Sequence, residues 1–410
     1  MKNIKLDSIL LFALVIPFIM SYRIGPDETP YWLFGLIFLG LLSYLSLDIL
    51  KLKDNLFFKL KQIILWLLIV GVIGGAVFSA IVVRHQTHPI YMIHDIIIQQ
   101  EAAIRFLLHG RNPYATTYFD TPLAQWNYSD KEVNPALYHF VMEPFYLLFA
   151  VPFYLVSNRL FGFFDGRMPL FFLFFIMLFT ASKLVKDKSK KLLFLIFLAF
   201  NPAMLGYTLE GRSDIFMFAF LFLGFYLLHN KKYFIAGIPI ALAFAVKQSV
   251  WPLLPFYFAF VYFKNKNMRK TLRDLLPFII TFGAIVLPFF LWDAKSFLDS
   301  TIFYLSGNTL HGYPISGYGI GMILSQMGII KDANAYYPFD IWQAIFGLPL
   351  AIILIKNLKN NLNVGRLIFA YGIFLFVFWY LSRYFNNSHL GYLSMIFITA
   401  YFWPEKDKEQ

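Results

Sequence analysis

Apolar residues run along this chain in long unbroken blocks, not in the three-and-four spacing of a half-buried helix. A bilayer core of about 30 Å asks a helix for about 17 to 25 mostly apolar residues. Blocks of this kind fall near 8–22, 31–50, 62–83, 168–185, 191–208, 213–229, 233–248, 250–264, 274–292, 339–356, 364–382 and 388–403. The pattern predicts an all-α polytopic membrane protein of about 12 transmembrane helices in a single integral-membrane domain over 1–410. Several blocks are short, which predicts tilt or kinks. The first follows Lys2 and Lys5 without a small-residue cleavage site, so it is expected to stay as a helix.

Two polar stretches interrupt the pattern. The segments 84–167 and 294–337 are expected as extracytoplasmic regions, the first carrying juxtamembrane or re-entrant helices. Most Lys and Arg residues collect in the N-terminus, 51–61, 183–191, 230–232, 264–273, 356–366 and the tail after Trp403. Cytoplasmic loops carry such an excess, so both termini are expected inside. Counting Leu137 to Val156 as a simple span would turn Lys183, Lys186, Lys188, Lys190 and Lys191 outward. That block, holding Pro144 and Pro152, is therefore expected along the outer interface or as a re-entrant segment.

Composition narrows the class. The chain is 59% hydrophobic, 20% aromatic and 14% charged, more apolar surface than a water-facing globule buries. The net charge of +12 is accounted for by topogenic and lipid-headgroup contacts, so membrane lipids are partners and no nucleic-acid face is required. The absence of cysteine excludes thiolate catalysis, disulfides and Cys-bound metal.

With this sidedness the outer ends of distant helices share one face. It holds Asp95, Glu101, Arg105, Arg111, Arg167, the EGRSD turn with Arg212 and Asp214, Lys247, Gln248, His311, Tyr313 and the RYFNNSH turn with Arg383 and His389. Of the eight histidines, His229 alone falls on the other side. Ionisable groups near a bilayer are costly and commonly functional, and loops collecting at helix mouths make a site. The alternative is that wet outer loops simply accumulate polar residues.

The order Asp95, EAAIRFLLHGRNPY (101–114) and an aromatic helix start after Asn134-Pro135-Ala136 resembles the first outer loop of the GT-C superfamily of integral-membrane glycosyltransferases. EGRSD followed by AGIPIALAFAVKQSVWPLLP resembles the middle section of its polyprenol-phosphate-sugar-dependent, mannosyltransferase-like branch. The likeness covers roughly 84–260. It implies a GT-C-like fold and an inverting hexosyltransferase that moves a sugar, mannose-like, from a polyprenyl-phosphate donor to a glycan, lipid or protein acceptor. There is no DxD motif at Asp95, and Asn-Pro-Ala stands where Tyr-Pro-Pro is usual.

Such transfer needs a base at the acceptor hydroxyl and positive charge on the departing phosphate. Asp95 is the candidate base, with burial expected to raise its pKa; its other reading is an N-cap for the helix that follows. Glu101 is a second catalytic candidate. Lys247, Arg212 and Arg383 are candidates for the donor phosphate, although Lys247 could snorkel and Arg212 could pair with Glu210 or Asp214. Asp214, Gln248, Tyr114, His311 and His389 are candidate substrate contacts. Tyr118, Phe119, Trp126 and Tyr128 could stack on a sugar or form an interfacial belt.

His85, His88 and His94 lack the spacing of a helix-borne zinc pair, so no metal ligands are assigned and no cofactor is expected to be required; a divalent metal stays open. The Gly71–Gly75 and Gly317–Gly321 segments lack nucleotide-binding spacing; the first reads as a helix contact, the second as a mobile loop over the site. The competing functional class is a secondary transporter or lipid-linked sugar flippase, whose sites lie near the midplane in broken helices.

Overall fold

The computed structural model describes residues 4–23, 29–129 and 132–405. Lys2, Lys406 and Lys408 of the expected cytoplasmic flanks lie outside the described residues. The fold is nearly all-α. Its β structure among the described residues is a two-residue parallel pairing of Ser316–Gly317 with Tyr384–Phe385.

Among the described residues, four helices are long and apolar enough to cross a membrane: Asp54–Thr87, Arg167–Leu184, Met268–Trp292 and Phe339–Asn360. Six shorter apolar helices accompany them, among them Asp214–His229, Tyr233–Phe244 and Val364–Tyr380. Several blocks that read as single spans are divided. The block 191–208 becomes Lys188–Ala199 and Leu205–Glu210, separated at Asn201-Pro202. Pro202 has no N–H for the helical ladder, and the Asn201 side chain accepts the Ala203 N–H at 3.0 Å instead. The block 233–248 ends its helix at Phe244, and a 3-10 turn, Gln248–Leu253, precedes Leu254–Asn265.

The Asp214–His229 helix is the centre of the packing. Its residues from Asp214 to Phe222 are all buried, and it lies against Arg167–Leu184 on one side and Tyr233–Phe244 on another. Glycines permit the close approach: a Cβ on Gly224 would overlap Ile240, and one on Gly237 would stand 2.9 Å from the Phe278 backbone of Met268–Trp292. Small residues do this work where lipid and protein are equally apolar.

The outer helices look the other way. Met268–Trp292 exposes Ile279, Ile280, Leu287 and Leu291, and Phe339–Asn360 exposes Ile341, Ile345, Leu348 and Ile352. Apolar rows of this extent are far larger than a soluble monomer shows and match a lipid environment.

One expectation about the basic flanks changes. Lys61 was grouped with the wet basic flank 51–61, yet its side chain is fully buried, 2.7 Å from Asp7 Oδ2, 2.7 Å from Asp48 Oδ1 and 2.7 Å from Ser8 Oγ. The Tyr44 hydroxyl also donates to Asp7 at 2.7 Å. Helix packing, which periodicity cannot show, closes Leu6–Phe18, Tyr31–Ser46 and Asp54–Leu68 around that ammonium. The block 137–156 is divided at its prolines: Pro144 caps Phe145–Leu148 and Pro152 occupies the first turn of Val151–Phe161.

The Gly317–Gly321 segment is not a free strap. Gly317 has φ +87°, and a Cβ there would overlap the Phe385 carbonyl of the β pairing; a Cβ on Gly319 would stand 2.8 Å from the Tyr380 carbonyl.

Candidate functional site

A cavity of about 1080 Å³ opens where the broken helices end. It gathers Asp95, Arg212, Asp214, Lys247, Gln248, Arg383 and His389, contributed by segments from opposite halves of the sequence. Aromatic residues, Trp251, Phe339, Phe374, Phe378 and Trp379, line it together with these polar groups.

Asp95 is the first residue of the helix Asp95–Leu108, and the preceding His94 is the N-cap. The N-cap reading of Asp95 therefore moves to its neighbour. Asp95 Oδ1 lies 2.6 Å from His94 Nδ1, and Asn134 Nδ2 donates to Asp95 Oδ2 at 3.3 Å. The Ile96 N–H also points at His94 Nδ1, at 3.3 Å. One nitrogen cannot donate to the carboxylate and accept from that amide together; the 2.6 Å contact is the shorter, so a proton is held between His94 and Asp95. The pKa expected to rise falls instead. Burial alone would raise it, but His94, Asn134 and the more distant Arg212 together hold the carboxyl below the ordinary aspartate value.

Arg212 and Lys247 supply the positive charge. Arg212 lies flat over the Tyr207 ring at 4.6 Å, with Glu210 at 3.8 Å and Ser388 Oγ at 3.5 Å. Its Nε has no hydrogen-bond partner among the described residues. Lys247 is held in extended conformation, φ −157°, between the two helical pieces, which frees its side chain to reach Asp214 Oδ1 at 2.8 Å. Asp214 is 1% exposed, whereas Lys247 keeps a face on the cavity.

Other candidates line the cavity but are already occupied. Arg383 gives its Nε to Tyr313 O, Nη1 to Ala335 O at 2.7 Å and Nη2 to Ala333 O at 2.9 Å. Its guanidinium ties loops together with three of its five N–H groups, which leaves it less free than Arg212 to meet a phosphate; burial also lowers its pKa. Gln248 Nε2 donates to Val141 O at 2.9 Å and Thr301 O at 3.1 Å. His389 Nδ1 accepts the Asn386 N–H at 2.9 Å in a capping box, with the ring 4.4 Å from that of Trp379.

Three candidates lie elsewhere. Glu101 is gripped in two places by Arg84 at 2.8 Å, accepts the Gly166 N–H at 3.1 Å, and shares Arg84 with Asp165, which Arg167 holds at 2.8 Å. A carboxylate so saturated is a fastener and fits no base role. Tyr114 is buried with its hydroxyl on Met142 O at 2.8 Å. His311, at φ +57°, stacks on Tyr138 at 3.7 Å outside the cavity lining. Tyr118 is likewise core, while Trp126 and Tyr128 do line the cavity.

Sequence reasoning passed over His94 as a partner of Asp95, although adjacency made it legible. It placed Tyr313 on the outer face but missed Tyr304 and gave Tyr384 no role: Tyr304 and Tyr313 have rings 5.8 Å apart, Tyr313 and Tyr384 4.6 Å, and all three line the cavity with Tyr128. Burial, with Asp95 nearby, raises the Tyr313 phenol, and burial pushes Tyr128 up to about 12. Glu143 was also missed: it is fully buried behind the cavity wall.

Among the described residues no group of three or more His, Cys, Asp or Glu is placed to hold a metal. Comparison of the chain with protein-family models, curated proteins and solved structures returns no match.

Proposed function

We propose that this protein is an integral-membrane glycosyltransferase of the GT-C type, transferring a hexose from a polyprenyl-phosphate donor to a glycan, lipid or protein acceptor at the extracytoplasmic face. The observation that carries the reading is the cavity that pairs a carboxylate, Asp95, with two cations, Arg212 and Lys247, and is also lined by aromatic side chains, Phe374, Phe378 and Trp379 of the apolar helix Val364–Tyr380 among them. A lipid phosphate is matched by such a site: its head needs charge and its tail needs an apolar flank.

In a single displacement the acceptor oxygen bonds to the anomeric carbon as the carbon–phosphate-oxygen bond breaks, inverting that carbon. The hydroxyl proton passes to the Asp95–His94 pair, and the bond electrons leave with the polyprenyl phosphate. Asp95, held ionised, orients the hydroxyl, and Arg212 with Lys247 meets the charge that grows on the leaving phosphate. The cavity tyrosines offer stacking faces and hydroxyls to the sugar.

A transporter or flippase is the second reading, favoured by the extended break at Lys247, since interrupted helices carry transporter sites. One experiment separates them. Full-length protein in lipid nanodiscs is supplied with radiolabelled polyprenyl-phosphate hexose and scored for release of polyprenyl phosphate; in sealed vesicles the same donor is scored for movement between leaflets. Transfer predicts donor turnover that Asp95→Asn abolishes. Leaflet exchange without turnover would sink it.

A further inference from the structure

Behind the cavity wall, the segment 141–145 runs beside the break that carries Lys247. Glu143 N–H donates to Val246 O at 3.1 Å and Phe145 N–H to Ala245 O at 2.8 Å, so the two stretches are laced together. The Glu143 side chain is fully buried, and neither carboxyl oxygen has a hydrogen-bond partner among the described residues.

The donors nearest it are directed elsewhere. Gln248 has two amide hydrogens, and its nitrogen serves the carbonyls of Val141 and Thr301. The Tyr114 hydroxyl goes to Met142 O, and the Lys247 ammonium goes to Asp214. A carboxylate in such a place would be a buried charge without a donor, whereas a neutral acid is far cheaper to bury.

We propose that Glu143 is a proton-bearing positioning residue: its neutral form keeps Gln248 on its two carbonyls and the Lys247 break in place, and its ionisation draws the Gln248 amide away and loosens the break. The proton switch is a property of the fold and holds whatever the cavity does. Its consequence for transfer, loss of Lys247 alignment at alkaline pH, rests on the glycosyltransferase reading.

Burial pushes this carboxyl up to about 8, the range in which the switch would operate. The sign follows from linkage. A carboxyl whose folded pKa is raised binds its proton more tightly folded than unfolded, so its stabilising contribution is full below the unfolded value, falls as pH rises through it, and levels off above about 8.

The test uses the full chain in nanodiscs, as wild type and as Glu143→Gln, which keeps the shape and cannot ionise. Infrared titration from pH 6 to 10 should show a protonated-carboxyl band that disappears near pH 8 in the wild type and is missing in the variant. Hydrogen exchange should show the Glu143, Phe145, Val246 and Lys247 amides losing protection across the same range, beyond the intrinsic pH effect, in the wild type alone. A band missing at pH 6, or protection that changes equally in both proteins, overturns the proposal. Should Glu143→Gln fail to fold, Glu143→Asp must shift the infrared midpoint, and an unmoved midpoint overturns it as well. Donor turnover plays no part in these measurements, so failure of the transfer reading would leave their outcome unchanged.

Discussion

The Lys247 ammonium lies 2.8 Å from Asp214 Oδ1, at the point where one helix has ended and the next has not begun. Its charge is thus already paired before any ligand arrives, while Arg212 has a more distant carboxylate, Glu210, at 3.8 Å. An anion entering the cavity should lean on both, and Asp214 should oppose it. Lys247→Gln and Arg212→Gln are each expected to weaken polyprenyl-phosphate binding by about ten- to a hundredfold, the range of a lost charge-assisted hydrogen bond. Asp214→Asn should tighten it several-fold. Equilibrium binding of a fluorescent polyprenyl phosphate to nanodisc-held protein decides, and an unchanged constant for both cation variants removes them from the phosphate site.

Asp95→Asn keeps the shape of the side chain and removes the base. Turnover should fall by about a hundred- to ten-thousandfold, with donor binding altered less than threefold. A variant that loses binding and turnover together would show that Asp95 holds the donor and does not act on the acceptor.

The depressed Asp95 carboxyl has a definite pH signature. A group with a lowered folded pKa contributes stability above its unfolded value and loses it as pH falls through the folded one. Turnover limited by the ionised base should therefore stay level with falling pH down to the ordinary aspartate value of 3.8 and decline below it. Asp165, held low by Arg167 and Arg84 against the cost of burial, should add acid instability in the same window. Rate and melting profiles in acid, compared for wild type and His94→Gln, check this; the variant should move the acid limb of the rate upward in pH.

Glu101 belongs to the frame. Glu101→Leu leaves Arg84 with Asp165 alone, and Arg84→Leu leaves two carboxylates short of a partner; removing one member of a buried ion network costs about 3–5 kcal/mol. The melting temperature should drop in both, more in Arg84→Leu, and turnover per folded molecule should persist. Activity that vanishes in well-folded Glu101→Leu would return this carboxylate to the chemistry.

Lys61→Met should destabilise by a similar amount, about 3–5 kcal/mol, because Asp7 and Asp48 are left buried without their cation. The triple change Asp7→Leu, Asp48→Leu, Lys61→Met should recover most of that loss. Detergent-resistance or thermal melts of the three proteins read it out.

The hydropathy pattern by itself determined the apolar, helical character of this chain, because a bilayer permits few backbones that leave no N–H or C=O unpaired. It also located the polar interruptions, and it put Asp95, Arg212, Asp214 and Lys247 on one candidate rim before their contacts were visible. What it could not determine was which side chains were already bound. Arg212 and Arg383 look alike in sequence, yet one keeps an unpartnered Nε over Tyr207 and the other is spent on three carbonyls. Glu101 and Glu143 look alike too, but one is gripped by Arg84 and the other has neither carboxyl oxygen hydrogen-bonded among the described residues. Those differences depend on long-range packing of segments such as 141–145 and 245–248, and hydrogen-bond supply at a residue is decided by neighbours that chain order does not name. Helix length was decided there as well: an apolar run is a necessary condition for a span, and Pro202 or the extended Lys247 ends the helix inside it.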